Sequence, residues 1–198
     1  MSIKTRDPFE VFGSWLEDAT AVEINNPNAM TLATAGQDGL PSARMVLLKG
    51  FDTGGFVFYT NLDSLKGHQL AENPNAALLF HWKTLNRQIR IEGPVERVSD
   101  SEADAYFASR ARASQLGAWA SHQSHPLEGM AELEKRVAIY AAKFHVGTVP
   151  RPDFWSGFRV SARRFEFWQE GKFRLHKRYV FKRSDAAGQD WQVQQLFP

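Results

Sequence analysis

The sequence predicts a mainly β protein, antiparallel, with helices inserted between its strands. Three observations carry this. A short run rich in Thr and apolar residues at 29–35 and two further short runs at 42–49 and 56–60 are joined by two tight turns, Gly36-Gln37-Asp38-Gly39 and Asp52-Thr53-Gly54-Gly55, the pattern of a meander or Greek key. Strands and helices do not alternate as they do in a parallel α/β chain. Apolar residues make up 43% of 198, with 15 Phe and 6 Trp. That is enough for an aromatic core in one domain spanning 1–198, with helical additions.

The elements follow in order. Asp7-Pro8-Phe9-Glu10 opens a helix over 8–20: Asp7 can cap, Pro suits the first helical position, and Glu10 falls where a capping box wants it. Phe9, Phe12, Trp15, Leu16 and Ala19 form its apolar stripe, which reads as a core contact. Asn25-Asn26-Pro27-Asn28 breaks the chain before the three strands. Ser64 caps a short helix to residue 73. Residues 75–82 and 87–98 read as a hairpin pair, Ile89 and Ile91 alternating with Gln88, Arg90 and Glu92. A helical insertion occupies about 100–145. It opens on the capping box Ser99-Asp100-Ser101-Glu102, continues through 112–121, and ends in the strongest helix, 128–144, with Met130, Leu133, Val137, Tyr140 and Phe144 on one stripe. Val149-Pro150-Arg151-Pro152 closes it. Strands at 158–169, 173–182 and 191–197 bring the total to about eight.

Composition removes several function classes. The formal charge is +2, from 24 basic and 22 acidic residues, which gives no support to bulk nucleic-acid binding. Without cysteine there is no disulfide, thiolate metal site or cysteine nucleophile. The first residues lack the apolar core of a signal peptide, and no apolar run approaches the roughly 20 residues needed to cross a bilayer. The expectation is a cytoplasmic protein away from the membrane. His122 and His125 are close, but no third metal ligand stands at a recognisable spacing, so no metal is expected. G-x-S-x-G, G-x-G-x-x-G after a strand and the P-loop pattern are all missing.

The most distinctive stretch is Arg174-Leu175-His176-Lys177-Arg178. Read as strand, it projects Arg174, His176 and Arg178 from one face, and turns Phe173, Leu175 and Tyr179 toward a core. The basic face fits either a solvated edge strand or a site combining two guanidinium forks with a titratable imidazole. Arg44, Lys49, Lys66, Arg110 and Arg112 add cations at strand or helix ends, several beside Ser or Thr. They suit a phosphate as well as they suit solvent.

An ordered set of short matches separates these alternatives. Arg44-Met-Val-Leu-Leu-Lys49, Phe58-Tyr-Thr-Asn61, Arg87-Gln88, Tyr106-Phe-Ala-Ser-Arg110, Ser114-Gln-Leu-Gly-Ala-Trp119, Gln123-Ser124, Phe165-Glu-Phe-Trp-Gln169 and Arg174-Leu-His176 together resemble the pyridoxamine 5′-phosphate oxidase family, from about residue 26 to the C-terminus. The resemblance implies a Greek-key split β-barrel, a homodimer with FMN at its interface, and oxidation of pyridoxamine or pyridoxine 5′-phosphate to pyridoxal 5′-phosphate, with O2 reduced to H2O2. It implies an FMN site of Arg44, Met45, Val46, Leu47, Leu48, Lys49, Tyr59, Thr60, Lys66, Gln88, Gln123, Ser124, Trp168 and Arg178. It implies a substrate-phosphate site of Lys49, Tyr106, Arg110 and Ser114, with Arg174, Leu175 and His176 at the substrate ring and Arg174 and His176 as the catalytic pair.

Four departures accompany the resemblance. Leu65 precedes Lys66 where a second basic residue is common. Lys177 stands where Asp is usual, and Asn26 where Asp is frequent. The segment before the first helix is short. Two other functions remain open at this stage: an FMN oxidase of another reduced ring, of the phenazine type, and a flavin or pyridoxal-phosphate binding protein without turnover.

Overall fold

Three polar side chains start three helices. Asp7 accepts the Phe9 N–H at 2.8 Å, Ser64 the Gly67 N–H at 3.3 Å, and Ser99 the Glu102 N–H at 3.2 Å, so each satisfies a donor the first helical turn leaves unpaired. The computed structural model describes residues 3–183 and 190–198. Among these the order is α1 (Pro8–Val22), β1 (Ala29–Ala35), β2 (Pro41–Leu47), β3 (Gly50–Asp52), β4 (Gly55–Asn61), α2 (Leu65–Glu72), β5 (Asn75–Trp82), β6 (Arg87–Arg97), α3 (Asp100–Ser109), α4 (Arg112–Ala120), α5 (Met130–Lys143), β7 (Trp155–Val160), β8 (Arg164–Gln169), β9 (Lys177–Lys182) and β10 (Gln192–Leu196). No described helix is long and apolar enough to cross a membrane.

Every strand pairing is antiparallel. The main path runs β10-β9-β8-β6-β5-β1-β2, and β7 joins β4 to β6, which curls the sheet into a split barrel. The period of two sorts its faces. Leu32, Leu78, Ile91, Phe165 and Phe181 fall on one cross-strand row, and each is at most 1% exposed. The next row, Leu79, Arg90, Glu166 and Val180, faces outward. Helix α1 lays its predicted stripe on the inner face. Phe12 meets Phe51, Phe56 and Phe80 edge-on at 4.8, 4.8 and 5.1 Å, and Trp15 meets Phe167 at 5.4 Å. A second, smaller core of Phe107, Leu116, Val149 and Trp155 lies under α3 and α4.

Three expectations are corrected. The predicted strand 158–169 is two strands, β7 and β8, which turn at Ser161–Arg163 over Gly93. There the Ser161 and Arg163 N–H groups donate to Pro94 and Glu92 carbonyls, both at 2.9 Å. The 42–49 strand stops at Leu47, and three further residues form β3, too short for a pattern to reveal. These two changes turn about eight strands into ten among the described residues. The strand expected from Phe173 begins only at Lys177. Residues 172–174 form a tight turn in which Phe173 (φ 57°) and Arg174 (φ 63°) are both left-handed, so alternation does not govern them. Phe173 and Leu175, expected in a core, are 93% and 68% exposed. The stripe of α5 packs on a neighbouring helix: Tyr140 and Phe144 meet Trp119 of α4 at 5.5 and 5.3 Å, and α5 has no fully buried residue.

The corner over Gly93 is testable. A Cβ there would stand 2.0 Å from the Ser161 carbonyl oxygen, and backbone must move to admit it. Gly93→Ala is expected to destabilise by about 1–3 kcal/mol, read as a lower urea midpoint at unchanged slope.

Candidate active site

A cavity of about 1090 Å³ opens between β2, the end of β4, the start of α2, and α3–α4. Among the described residues β2 pairs only with β1, and Ser42, Ala43, Arg44, Met45, Val46 and Leu47 all line the cavity. Residues from both faces of the strand do so, which puts its unpaired edge in the wall. The side chain of Leu48, between them and Lys49, turns into the core at 5% exposure. Lys49 lies beyond the strand end and reaches the cavity, its ammonium 5.9 Å from the Tyr106 ring centre.

At one end of the cavity, two cations are held entirely by neutral groups. Arg44 donates to the Leu32 carbonyl and to Thr34, Ser42 and Gln69. Lys66, 8% exposed, donates to Thr60 at 3.1 Å, Ser64 at 3.2 Å and Gln123 at 2.9 Å. Ser124, left-handed at φ 72°, accepts the Leu65 N–H. This gathers the N-terminus of α2, Lys66, Thr60, Gln123 and Ser124 in one place. Among the described residues no carboxylate is within ion-pair distance of Arg44, Lys49, Lys66 or Arg110. A buried ammonium and a half-buried guanidinium without carboxylate partners, beside a helix N-terminus, suit an anion. Burial, with Arg44 adding to it, pulls Lys66 down to about 8.

At the other end stand Tyr59, Tyr106, Arg110, Ser114 and Trp155. Tyr59 stacks on Tyr106 at 3.9 Å and on Trp155 at 5.4 Å, and the Arg110 guanidinium sits 4.8 Å from the Trp155 ring. Burial, then Glu102, pushes the Tyr59 phenol up to about 12, so it remains a hydroxyl donor. The buried Arg110 Nη1 has no hydrogen-bond partner, an open donor suited to a phosphate oxygen. Burial also lowers the Arg110 guanidinium from its ordinary value. Trp155, Ser42 and Gln69 were not singled out from sequence. Trp155 carried no signal beyond an aromatic near a strand, and Gln69 acts at a distance of 25 residues from Arg44.

The remaining expected residues form a second cluster on the outer face of the sheet. Gln88 pairs with Trp168, and Trp168 with Arg178. His176 lies 4.7 Å from the Trp168 ring and accepts the Gly171 N–H at Nδ1, while Arg174 and Leu175 are exposed. None of these lines the cavity. Along the main path, β2 and β9 are separated by β1, β5, β6 and β8, five strand steps of about 4.8 Å each.

Residues 16–143 match the family model described as pyridoxamine 5′-phosphate oxidase. Residues 155–198 match the pyridoxine 5′-phosphate oxidase C-terminal dimerisation region. A pyridoxine/pyridoxamine 5′-phosphate oxidase of Azorhizobium caulinodans is 59% identical over 192 residues, 97% of this chain and 90% of that relative. The chain belongs to the pyridoxamine 5′-phosphate oxidase family. A second relative, from Ralstonia nicotianae and named pyridoxine/pyridoxamine 5′-phosphate oxidase 2, is 58% identical over 197 residues, covering 100% of this chain and 92% of its own length. Among solved structures, PhzG from Burkholderia lata in complex with tetrahydrophenazine-1-carboxylic acid superposes with a TM-score of 0.90 at 33% identity, over 97% of this chain and 93% of that one. A pyridoxamine 5′-phosphate oxidase-related, FMN binding protein from Nostoc punctiforme shares the fold, with a TM-score of 0.78 at 16% identity over the whole of both chains. The segment matched to the family's dimerisation region contains β7–β10, and with them Trp168, Arg174, His176 and Arg178.

Lys66 gives this site a pH signature. Below about pH 8 the folded chain carries a buried ammonium, and that cost is relieved as pH rises from about 8 toward the ordinary value of 10.5, so this group's contribution to stability rises over that window. A bound anion favours the charged form. Affinity for inorganic phosphate is therefore expected to fall several-fold between about pH 7.5 and about pH 9. Lys66→Met should bind more weakly and flatten the profile, both read by titration at each pH.

Proposed function

We propose that this protein catalyses the FMN-dependent oxidation of pyridoxamine or pyridoxine 5′-phosphate to pyridoxal 5′-phosphate, with O2 reduced to H2O2, as a homodimer. The observation that carries the reading is the cavity: two separate cationic ends without carboxylates, large enough for two phosphorylated molecules side by side. FMN, when bound, supplies the two-electron acceptor that O2 reoxidises.

The chain's own residues divide the remaining work. Arg44, Lys66, Thr60, Gln123, Ser124 and the start of α2 suit the FMN phosphate, and the free edge of β2 offers backbone donors and acceptors to a flat ring. At position 65 a leucine, 52% exposed, supplies no second cation, so Lys66 and Arg44 bear that load. Lys49, Tyr106, Arg110 and Ser114 suit the substrate phosphate. The outer cluster of Gln88, Trp168, Arg174, His176 and Arg178 completes the site from the second subunit, which accounts for its distance from the cavity within one chain and for its lying largely in the dimerisation region. His176 accepts at Nδ1, so a neutral imidazole carries its proton on Nε2 and presents a donor there. Arg174 and His176 hold the substrate ring in register with the acceptor, and closure between subunits excludes water.

The phenazine-type reading draws on the similarity to PhzG. The Lys49–Tyr106–Arg110–Ser114 end, with its open Arg110 donor, favours a phosphorylated substrate instead.

Anaerobic titration decides. Pyridoxamine 5′-phosphate should bleach the oxidised-flavin band, and admitting air should restore it with pyridoxal 5′-phosphate formed. A flavin that binds and stays oxidised would overturn the reading. Arg110→Ala is expected to raise KM at least about tenfold with a smaller change in kcat, and an unchanged KM would refute its role. Arg174→Ala and His176→Ala should lower turnover at least about tenfold while FMN stays bound.

A further inference from the structure

Glu166 is the most unusual carboxylate among the described residues. It points to the outer face of β8, between the inward Phe165 and Phe167, yet its side chain is 3% exposed. Its Oε1 accepts from Arg178 Nε at 2.9 Å and Nη2 at 2.7 Å. Its Oε2 accepts from Arg164 at 2.8 Å and lies 3.1 Å from Arg90 Nη2. Three guanidiniums thus converge on one carboxylate. Arg164 and Arg90 also share Glu92, at 2.7 and 3.3 Å, while Arg178 turns its remaining nitrogen to the Phe197 carbonyl at 3.1 Å. Burial pushes the Glu166 carboxyl up, but Arg178, Arg90 and Arg164 outweigh it and hold it below the usual range.

A buried ion pair is a poor way to gain stability, since apolar replacements of similar volume often do as well. What it does supply is a fixed geometry. Arg178 sits directly across from Trp168, which sits across from Gln88 and against His176. An unanchored arginine has many rotamers, and each one lost on binding costs affinity.

We propose that Glu166 is a positioning residue for FMN binding: its carboxylate fixes the Arg178 guanidinium on the sheet face that also carries Trp168 and Gln88, ready for the flavin. Arg90 and Arg164 keep Glu166 charged and in place. This rests on the reading of the chain as an FMN protein and adds a residue which does not touch the flavin itself.

The test is FMN affinity, measured by quenching of flavin fluorescence as purified protein is added, with dimer mass and far-UV circular dichroism checked for each variant. Glu166→Gln, nearly the same shape without the charge, is expected to weaken FMN binding at least about tenfold. In an Arg178→Ala background the same change should have almost no further effect, because the group it positions is gone. A merely structural role predicts an equal loss in both backgrounds, and that result would overturn the proposal. So would wild-type affinity in Glu166→Gln. Wild-type protein that fails to bind FMN would overturn the functional reading, and this inference with it. Should Glu166→Gln not fold, Glu166→Asp, which keeps the charge on a shorter stem, carries the same comparison.

Discussion

The geometry of the whole molecule hangs on one close approach of backbone to backbone. β6 is an eleven-residue strand that serves two partners, β8 over Arg87–Glu92 and β7 over Val95–Arg97. It can do so only because the chain between them folds across Gly93, where no side chain intervenes. From that corner β7 reaches back to β4, and β4 delivers Tyr59 and Thr60 to the cavity. β8 leaves in the other direction, carrying Glu166 and Trp168. The two candidate clusters are thus two arms of one corner, and their separation within the chain follows from the topology.

The two clusters handle charge in opposite ways. In the cavity, Arg44, Lys49, Lys66 and Arg110 are left without carboxylates, and neutral hydroxyls and amides hold them in place. Their unmet charge is what an anionic ligand would answer. On the outer face, Arg90, Arg164 and Arg178 are answered already by Glu92 and Glu166. An arginine compensated in this way binds an anion less strongly but points in a defined direction. The first arrangement suits holding phosphates, the second suits orienting a ring.

Much of the fold was legible in the sequence where the signal was local. Asp7, Ser64 and Ser99 cap as their types predict, 75–82 is the strand its composition suggests, and the stripe on α1 is core. The failures were equally physical. Alternation can be read only while the backbone is extended, and two consecutive left-handed residues at Phe173 and Arg174 stopped it, with no glycine at either position to announce them. The split at 161–163 was hidden because its cause, Gly93, lies some seventy positions earlier in the chain. For the candidate site, the ordered motif set gave the residues, and the structure added their grouping into two clusters. Gln69 and Glu166 act through partners across strands, a relation that no spacing along the chain encodes.

The open edge of β2 has a further consequence. A row of unpaired N–H and C=O groups is a template for any other extended chain. Pro41 at its start and the inward Arg44 blunt it only partly, and the exposed Met45 and Leu47 leave it apolar along one side. Whatever occupies the cavity also shields that edge. A chain whose cavity is filled would present less of that edge to its neighbours than an empty one.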